Sequence, residues 1–346
     1  MSNAPEGTKP NLTQIAKDAG VSAATVSRVI NGRAGVAEQT REAIERLLDQ
    51  YGYTKALTTT KTSRTVEFVI ASLENNGSFE LAKELVYQAR DFEVGITVTR
   101  MNGAEDADAC FRGIIDRNPL GVVTLMSSVP ETCTRLLCSR GIPYVIINSY
   151  GRIHDDMLGI DIDNWRGGYD ATRHLLDLGH TRIGVITGPK DRQSSTARLS
   201  GYEASLRQAG IDFDRTLVAA GDYTAHTGYL AANRLLDMPE PPTAVFCFND
   251  LMAVSLYKAA QEHALSIPED LSVVGFDDVY PAEYLSPALT TIRQPFAMIA
   301  KRALRLVCEA RDNTPEEYSI ILPTHLVERE STAPPRINRN AQQAAA

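Results

Sequence analysis

Between residues 12 and 53, apolar positions recur at helical spacing in three short segments. Leu12, Ile15, Ala16 and Ala19 fall on one face of the first. Gly20 follows, able to take the positive φ of a tight turn, and Ser22 stands where an N-cap belongs. In the second segment, 23–31, Val26, Val29 and Ile30 form an inward stripe, leaving Ala23, Ala24, Ser27 and Arg28 on the opposite side. In the third, 38–51, the apolar face is Ala43, Ile44, Leu47 and Leu48. From Thr65 onward the pattern changes. Short β-rich runs such as Val66-Glu-Phe-Val-Ile and Gly121-Val-Val-Thr alternate with amphipathic helices, and a second series of the same kind begins after residue 164. Alternation of this kind predicts parallel sheets with crossover helices, here as two doubly wound lobes with a ligand cleft between them.

The spacing of Ala16, Gly20 and Val26 is that of a helix-turn-helix: a small residue for close approach, a glycine for the turn, an apolar residue to pin the second helix. That second helix would enter the major groove of DNA N-terminus first. Arg28 can present a fork to a guanine edge, and Ala23 and Ala24 suit a thymine methyl. Ser22, Thr25 and Asn31 suit phosphate oxygens, and Ser27 shares the exposed face. The competing reading is a three-helix bundle without DNA, in which Arg28 is a solvated charge.

Charge favours DNA. The chain carries a net −8, yet residues 1–65 hold nine Lys/Arg against six Asp/Glu. A basic head on an acidic body puts the nucleic-acid footprint at one end. No apolar run approaches a membrane span, and the first residues do not read as a secretory signal, so a cytoplasmic protein is expected. Five cysteines without C-x-x-C spacing and six scattered histidines indicate neither disulfide framework nor metal site. No nucleophile elbow, dinucleotide fingerprint, P-loop or zincin motif is present, so neither catalysis nor a cofactor is expected.

Several stretches resemble the lactose-repressor/galactose-repressor (LacI/GalR) family. They are Thr25-Val-Ser-Arg-Val-Ile-Asn-Gly32, Leu178-Gly-His-Thr-Arg-Ile-Gly184, Arg198-Leu-Ser-Gly-Tyr202, Phe248-Asn-Asp250, Ile267-Pro-Glu-Asp-Leu-Ser-Val-Val-Gly-Phe-Asp-Asp278 and Leu289-Thr-Thr-Ile-Arg-Gln294. In order and at family spacing, they cover residues 11 to 331. The resemblance implies a helix-turn-helix domain over 11–53 and a linker over 54–64. A periplasmic-binding-protein-like α/β domain would follow over 65–331, with one lobe from 65–162 and 295–321 and the other from 163–292 and 322–331. It further implies a homodimer, with a tetramer as the second option, on a palindromic operator released by a small sugar effector. A nucleoside, purine or sugar phosphate, or a co-repressor, is the alternative. Effector contacts carry over to Arg198, Asn249 and Asp277, with Phe79, Trp165, Tyr223 and Gln294 at other cleft positions. Five have a plainer reading: a surface ion pair for Arg198, a turn cap for Asp277, core packing for Phe79, Tyr223 and Trp165.

Two segments depart from the family. Its hinge reads Gly-Tyr-x-Pro-Asn-x-x-Ala-x-x-Leu, whereas residues 54–64 lack Pro-Asn and carry threonine at 58, 59, 60 and 62, a poor helix. Either an extended linker or a hinge of different form follows. Residues 332–346 read as a disordered tail without leucine heptads.

Overall fold

The computed structural model describes residues 12–30, 35–51, 63–71, 76–101, 104–125, 129–148, 158–312, 315 and 318–336. The linker over 54–62, Asn31 and the end of the chain from 337 lie outside the described residues.

Helices α1 (Leu12–Asp18), α2 (Ala23–Ile30) and α3 (Glu38–Gln50) form the N-terminal unit. Its core is Ile15, Ala16, Val26, Val29, Ile30, Ile44 and Leu48, drawn from the three apolar stripes. The remaining elements build two sheets. In chain order the first series is β1 (Thr65–Ile70), α4 (Asn76–Ala89), β2 (Gly95–Arg100), α5 (Ala107–Arg117), β3 (Gly121–Thr124), α6 (Glu131–Ser139), β4 (Tyr144–Ile147) and β5 (Leu158–Ile162). The second is α7 (Asn164–Asp177), β6 (Ile183–Thr187), α8 (Gln193–Gln208), β7 (Val218–Ala220), α9 (Ala225–Leu236), β8 (Ala244–Cys247), α10 (Asp250–Glu262), β9 (Ser272–Asp277) and β10 (Thr290–Arg293). Then come α11 (Phe296–Asp312), β11 (Ser319–Leu322) and β12 (His325–Val327).

The sheets have the orders β11-β5-β4-β3-β1-β2 and β12-β10-β9-β8-β6-β7. All pairings are parallel except β10 with β12. Central strands β1, β3, β6, β8 and β9 are buried on both faces and therefore read as near-continuous apolar runs. Glu67 is the exception inside β1; Arg117 and Thr99 satisfy its carboxylate at 2.6 and 2.7 Å.

The chain passes between the sheets three times: after β5, after β10 and after β11. The lobes are therefore joined by three short crossings, at residues 162–164, 293–296 and 322–325. No helix among the described residues is long and apolar enough to cross a membrane.

The tail expected from composition begins too early. The Ala333 amide donates to Ser272 Oγ at 3.0 Å, His180 Nε2 lies 2.9 Å from the Ala333 carbonyl, and Arg336 pairs with Asp270. Residues 332–336 thus dock on the second lobe, held by side chains distant in sequence. Cys133 and Cys247 are buried like small apolar residues, while Cys138 is exposed.

Candidate functional site

The turn between α1 and α2 is closed in the way its glycine suggests. Gly20 has φ of +64°, the Val21 amide donates to the Ala16 carbonyl at 2.9 Å, and the Gly20 amide to that of Lys17 at 3.2 Å. Both bonds satisfy carbonyls left open at the end of α1. Ser22 Oγ accepts from the Thr25 amide at 3.1 Å and caps α2. Val26, Val29 and Ile30 are buried, leaving Ser22, Ala23, Ala24 and Arg28 exposed and Thr25 and Ser27 half-buried. A face of small groups with one arginine is thereby presented to solvent.

In the α/β part of the chain, the C-terminal edges of both sheets face one cleft of about 620 Å³, a volume suited to a small molecule. Asn148 follows β4, Asp222 and Tyr223 follow β7, Asn249 follows β8, Asp277 ends β9 and Gln294 follows β10. Strand ends in doubly wound sheets are where ligands are met.

Arg198 is 4% exposed, which rules out a surface ion pair. Its Nε donates to Asn164 Oδ1 at 2.9 Å, Nη1 donates to the Phe248 carbonyl, and the guanidinium lies 3.4 Å from the centre of the Phe276 ring. Two glycines deliver it there. A Cβ on Gly201 would stand 2.1 Å from the Trp165 carbonyl oxygen, and one on Gly168 would stand 2.2 Å from that of Arg198. Helices α7 and α8 therefore touch backbone to backbone, and the arginine one turn before Gly201 reaches the cleft wall.

Tyr223, at φ +72°, lays its ring on Gly188, where a Cβ would come within 2.1 Å of the ring. Its hydroxyl is 3.1 Å from Ser194 Oγ, and its carbonyl accepts from Asn249 Nδ2 at 3.0 Å. Asn249 Oδ1 caps α10 by accepting from the Met252 amide at 3.0 Å. Its amide is bonded at both ends, which fixes its orientation, and one of its two Nδ2 hydrogens is left over from these bonds.

Asp277 is 5% exposed and accepts from Gln294 Nε2 at 2.5 Å. Burial pushes its carboxyl up to about 6, although Arg198 and Gln294 pull the other way. Behind it Asp250 is fully buried, accepting from Thr291 Oγ1 at 2.6 Å and the Val279 amide at 2.9 Å. Burial, then the charge of Asp277, holds it well above the usual carboxylate range.

The rise at Asp277 has a consequence for stability. An acid whose folded value lies above its usual 3.8 contributes stability that is present below 3.8 and lost as pH climbs through about 6. Asp277→Asn carries no such loss. The urea midpoint of the variant should therefore gain on that of the parent between pH 4 and 7.5; parallel midpoints would contradict a strained carboxylate.

Of the seven cleft positions expected from sequence, Arg198, Tyr223, Asn249, Asp277 and Gln294 come together. Phe79 and Trp165 do not. Phe79 is 59% exposed on α4, and Trp165, 43% exposed, stacks on Tyr169 with ring centres 5.4 Å apart; neither borders the cleft. Sequence reasoning passed over Asn148, Arg192 and Asp222, each on a loop after a strand. Burial raises the Asp222 carboxyl, but bonds from the Thr224 and Thr227 hydroxyls and the Thr224 amide outweigh it and hold the group lowered. Asp222 is thus an ionised acceptor on the wall.

Residues 11–55 match the family described as bacterial regulatory proteins, lacI family, and 172–332 match a periplasmic binding protein-like domain. The HTH-type transcriptional regulator CelR of Thermobifida fusca is 34% identical over 337 residues, covering 93% of this chain and 98% of that protein. The HTH-type transcriptional repressor PurR of Vibrio atlanticus is 32% identical over 327 residues, covering 92% and 97%. A solved structure described as a transcriptional regulator CelR–cellobiose complex superposes with a TM-score of 0.72 at 31% identity, covering 93% of this chain and 99% of that one. With a helix-turn-helix unit, a ligand-sized cleft between two lobes and end-to-end likeness to such regulators, the chain belongs to the LacI family and is a DNA-binding transcriptional regulator rather than an enzyme.

Proposed function

We propose that this regulator is a cytoplasmic repressor of sugar-utilisation genes, released from a palindromic operator by a small neutral sugar bound between the lobes. The observation that carries the reading is the balance of the cleft. Arg192, Arg198 and His226 line it together with Asp222 and Asp277, the amides of Asn148 and Gln294, and the flat ring of Tyr223. Hydroxyl groups need donors and acceptors in such mixture, and a sugar ring face suits an aromatic wall. A phosphate would favour a clear excess of cationic donors, whereas among the described lining residues two arginines and His226 stand with two carboxylates. CelR, a relative by sequence and fold, has been solved with cellobiose.

Reading a palindrome takes two copies. The apolar side chains Val86 and Tyr87 of α4, at 60% and 69% exposure, and Tyr280 and Tyr284 in the second lobe, at 75% and 70%, supply surface for a homodimer. Asn76 Nδ2, which donates to the Tyr280 carbonyl at 3.0 Å, joins the two regions across the lobes. A ligand that favours one closure of the lobes then shifts the dimer between DNA-binding states.

A thermal-shift screen of monosaccharides, cellobiose and other disaccharides, nucleosides, purines and sugar phosphates tests the effector. A neutral saccharide at 100 times its Kd should add about 2.7 kcal/mol to apparent stability, a shift of several degrees. A response confined to the nucleosides, purines or phosphates would overturn the sugar reading.

On the DNA side, Ala23, Ala24 and Arg28 would read bases while Ser22, Thr25, Ser27 and Asn31 sit against the backbone. Arg28→Ala should remove about 1–3 kcal/mol of discrimination between a selected site and a scrambled duplex. Competition binding at fixed salt measures it; an unchanged ratio would take Arg28 out of base readout.

A further inference from the structure

A non-glycine residue with positive φ is uncommon, and two in succession must be held by their surroundings. Asp277 and Asp278 form such a pair, at φ of 120° and 57°, where β9 meets the cleft. The hold on this segment comes from outside the site. The carboxylate of Asp278, 6% exposed, accepts from Arg293 Nε at 2.6 Å on one oxygen and from Arg329 Nη2 at 2.6 Å on the other. Arg329 is fixed in turn, its Nη1 donating to the Leu289 carbonyl at 2.7 Å and its amide to Thr290 Oγ1 at 3.0 Å. One residue on, the Val279 amide donates to Asp250 Oδ2 at 2.9 Å.

Asp278, Arg293 and Arg329 do not border the cleft. Their places in the chain matter more. Arg293 closes β10 immediately before the second crossing, and Arg329 follows β12 just after the third. Gln294, which bonds Asp277 through both backbone and side chain, lies within the second crossing itself.

We propose that the Arg293–Asp278–Arg329 clamp is a positioning device: it holds Asp277 in its positive-φ turn, so that the carboxylate stays facing Arg198, Gln294 and the ligand. The functional half rests on the reading of the cleft as the effector site; the geometric half does not. Asp278 and its two arginines touch no ligand and act through Asp277 alone.

Asp278→Asn isolates the clamp, because asparagine has nearly the same shape and also tolerates the left-handed region, so what changes is the charge. A crystal structure of the full-length variant should show Asp277 out of positive φ and its bond from Gln294 lost. Calorimetry with cellobiose as the probe should show binding about tenfold weaker, the scale of one lost charge-assisted hydrogen bond. Arg329→Lys, which keeps charge but not the fork, guards against a variant that fails to fold and should give an intermediate loss. If Asp277 keeps φ near 120° and its Gln294 bond in both variants, the clamp is wrong. If Asp277 moves while cellobiose binding is unchanged, the functional half of the proposal is wrong; if the parent binds neither cellobiose nor any other saccharide, the sugar reading of the cleft falls while the position of Asp277 still decides the clamp.

Discussion

Arg198→Ala is expected to abolish stabilisation by any saccharide and to cost the fold about 3 kcal/mol, the scale of buried groups left without a charged hydrogen-bond donor. Three losses combine. The Asn164 side chain and the Phe248 carbonyl lose a charged donor, and the Phe276 ring loses the cation on its face. Asp277 loses the guanidinium that pulls its carboxyl down, so it protonates more readily near neutral pH. Arg198→Lys should not restore binding, since one ammonium cannot fill a planar fork set between two acceptors and a ring. Calorimetric titration separates binding from stability, provided each variant is first shown to be folded. A full saccharide response in Arg198→Ala would remove this residue from the site.

The second large effect is expected at Gly201. Its Cβ would meet the Trp165 carbonyl oxygen at 2.1 Å and the Tyr169 amide nitrogen at 2.6 Å, both backbone atoms of α7. Neither can rotate away, so α7 and α8 must separate. Gly201→Ala should therefore lower stability by about 3 kcal/mol, at the upper end of ordinary overpacking. Gly168→Ala, which attacks the same contact from the other helix, should match it. If the two acted through one helix–helix contact, the double variant would lose less than the sum. Gly113 is the control, since its nearest neighbour, the flexible tip of Arg117, would be 3.5 Å from a Cβ. Urea unfolding of the variants decides it; a Gly201→Ala midpoint equal to that of Gly113→Ala would contradict the close approach.

These glycines explain how much of the molecule its sequence discloses. Helices α1 to α3 and strands β1 to β4 and β6 to β9 are visible because one-sided or continuous apolar patterns are imposed by the core they enter. Four strands are not. The segment Leu158-Gly-Ile-Asp-Ile breaks its apolar run with glycine and aspartate, and Thr290-Thr-Ile-Arg293 has a single aliphatic residue. Thr290 and Thr291 are nonetheless fully buried, their polar atoms satisfied by Arg329 and Asp250. Strands β11 and β12 are short pieces that exist only because neighbouring strands are there to pair with.

The cleft was legible where a motif ties a side chain to a strand end or to a glycine contact, as at Arg198, Asp277 and Gln294. It was not legible where only a helix position was known. Phe79 and Trp165 sit near helix starts, but which way each ring turns is set by packing that no local pattern encodes. Asp222 and Arg192 carry no motif beyond their place after a strand. The docking of residues 332–336 depends on Ser272, His180 and Asp270, too distant in sequence for composition to anticipate.

The central claim is that a ligand between the lobes governs DNA binding by the N-terminal helices. Sites for the full-length chain can be selected from a random duplex pool, and affinity for the selected site then followed by fluorescence anisotropy at fixed salt, with and without saturating cellobiose. The account predicts a two-fold symmetric site, bound far more tightly than scrambled DNA, and at least a fivefold loss of affinity with the sugar, the lower end of typical coupling between sites. Specific binding untouched by cellobiose and by every other saccharide tried would contradict it.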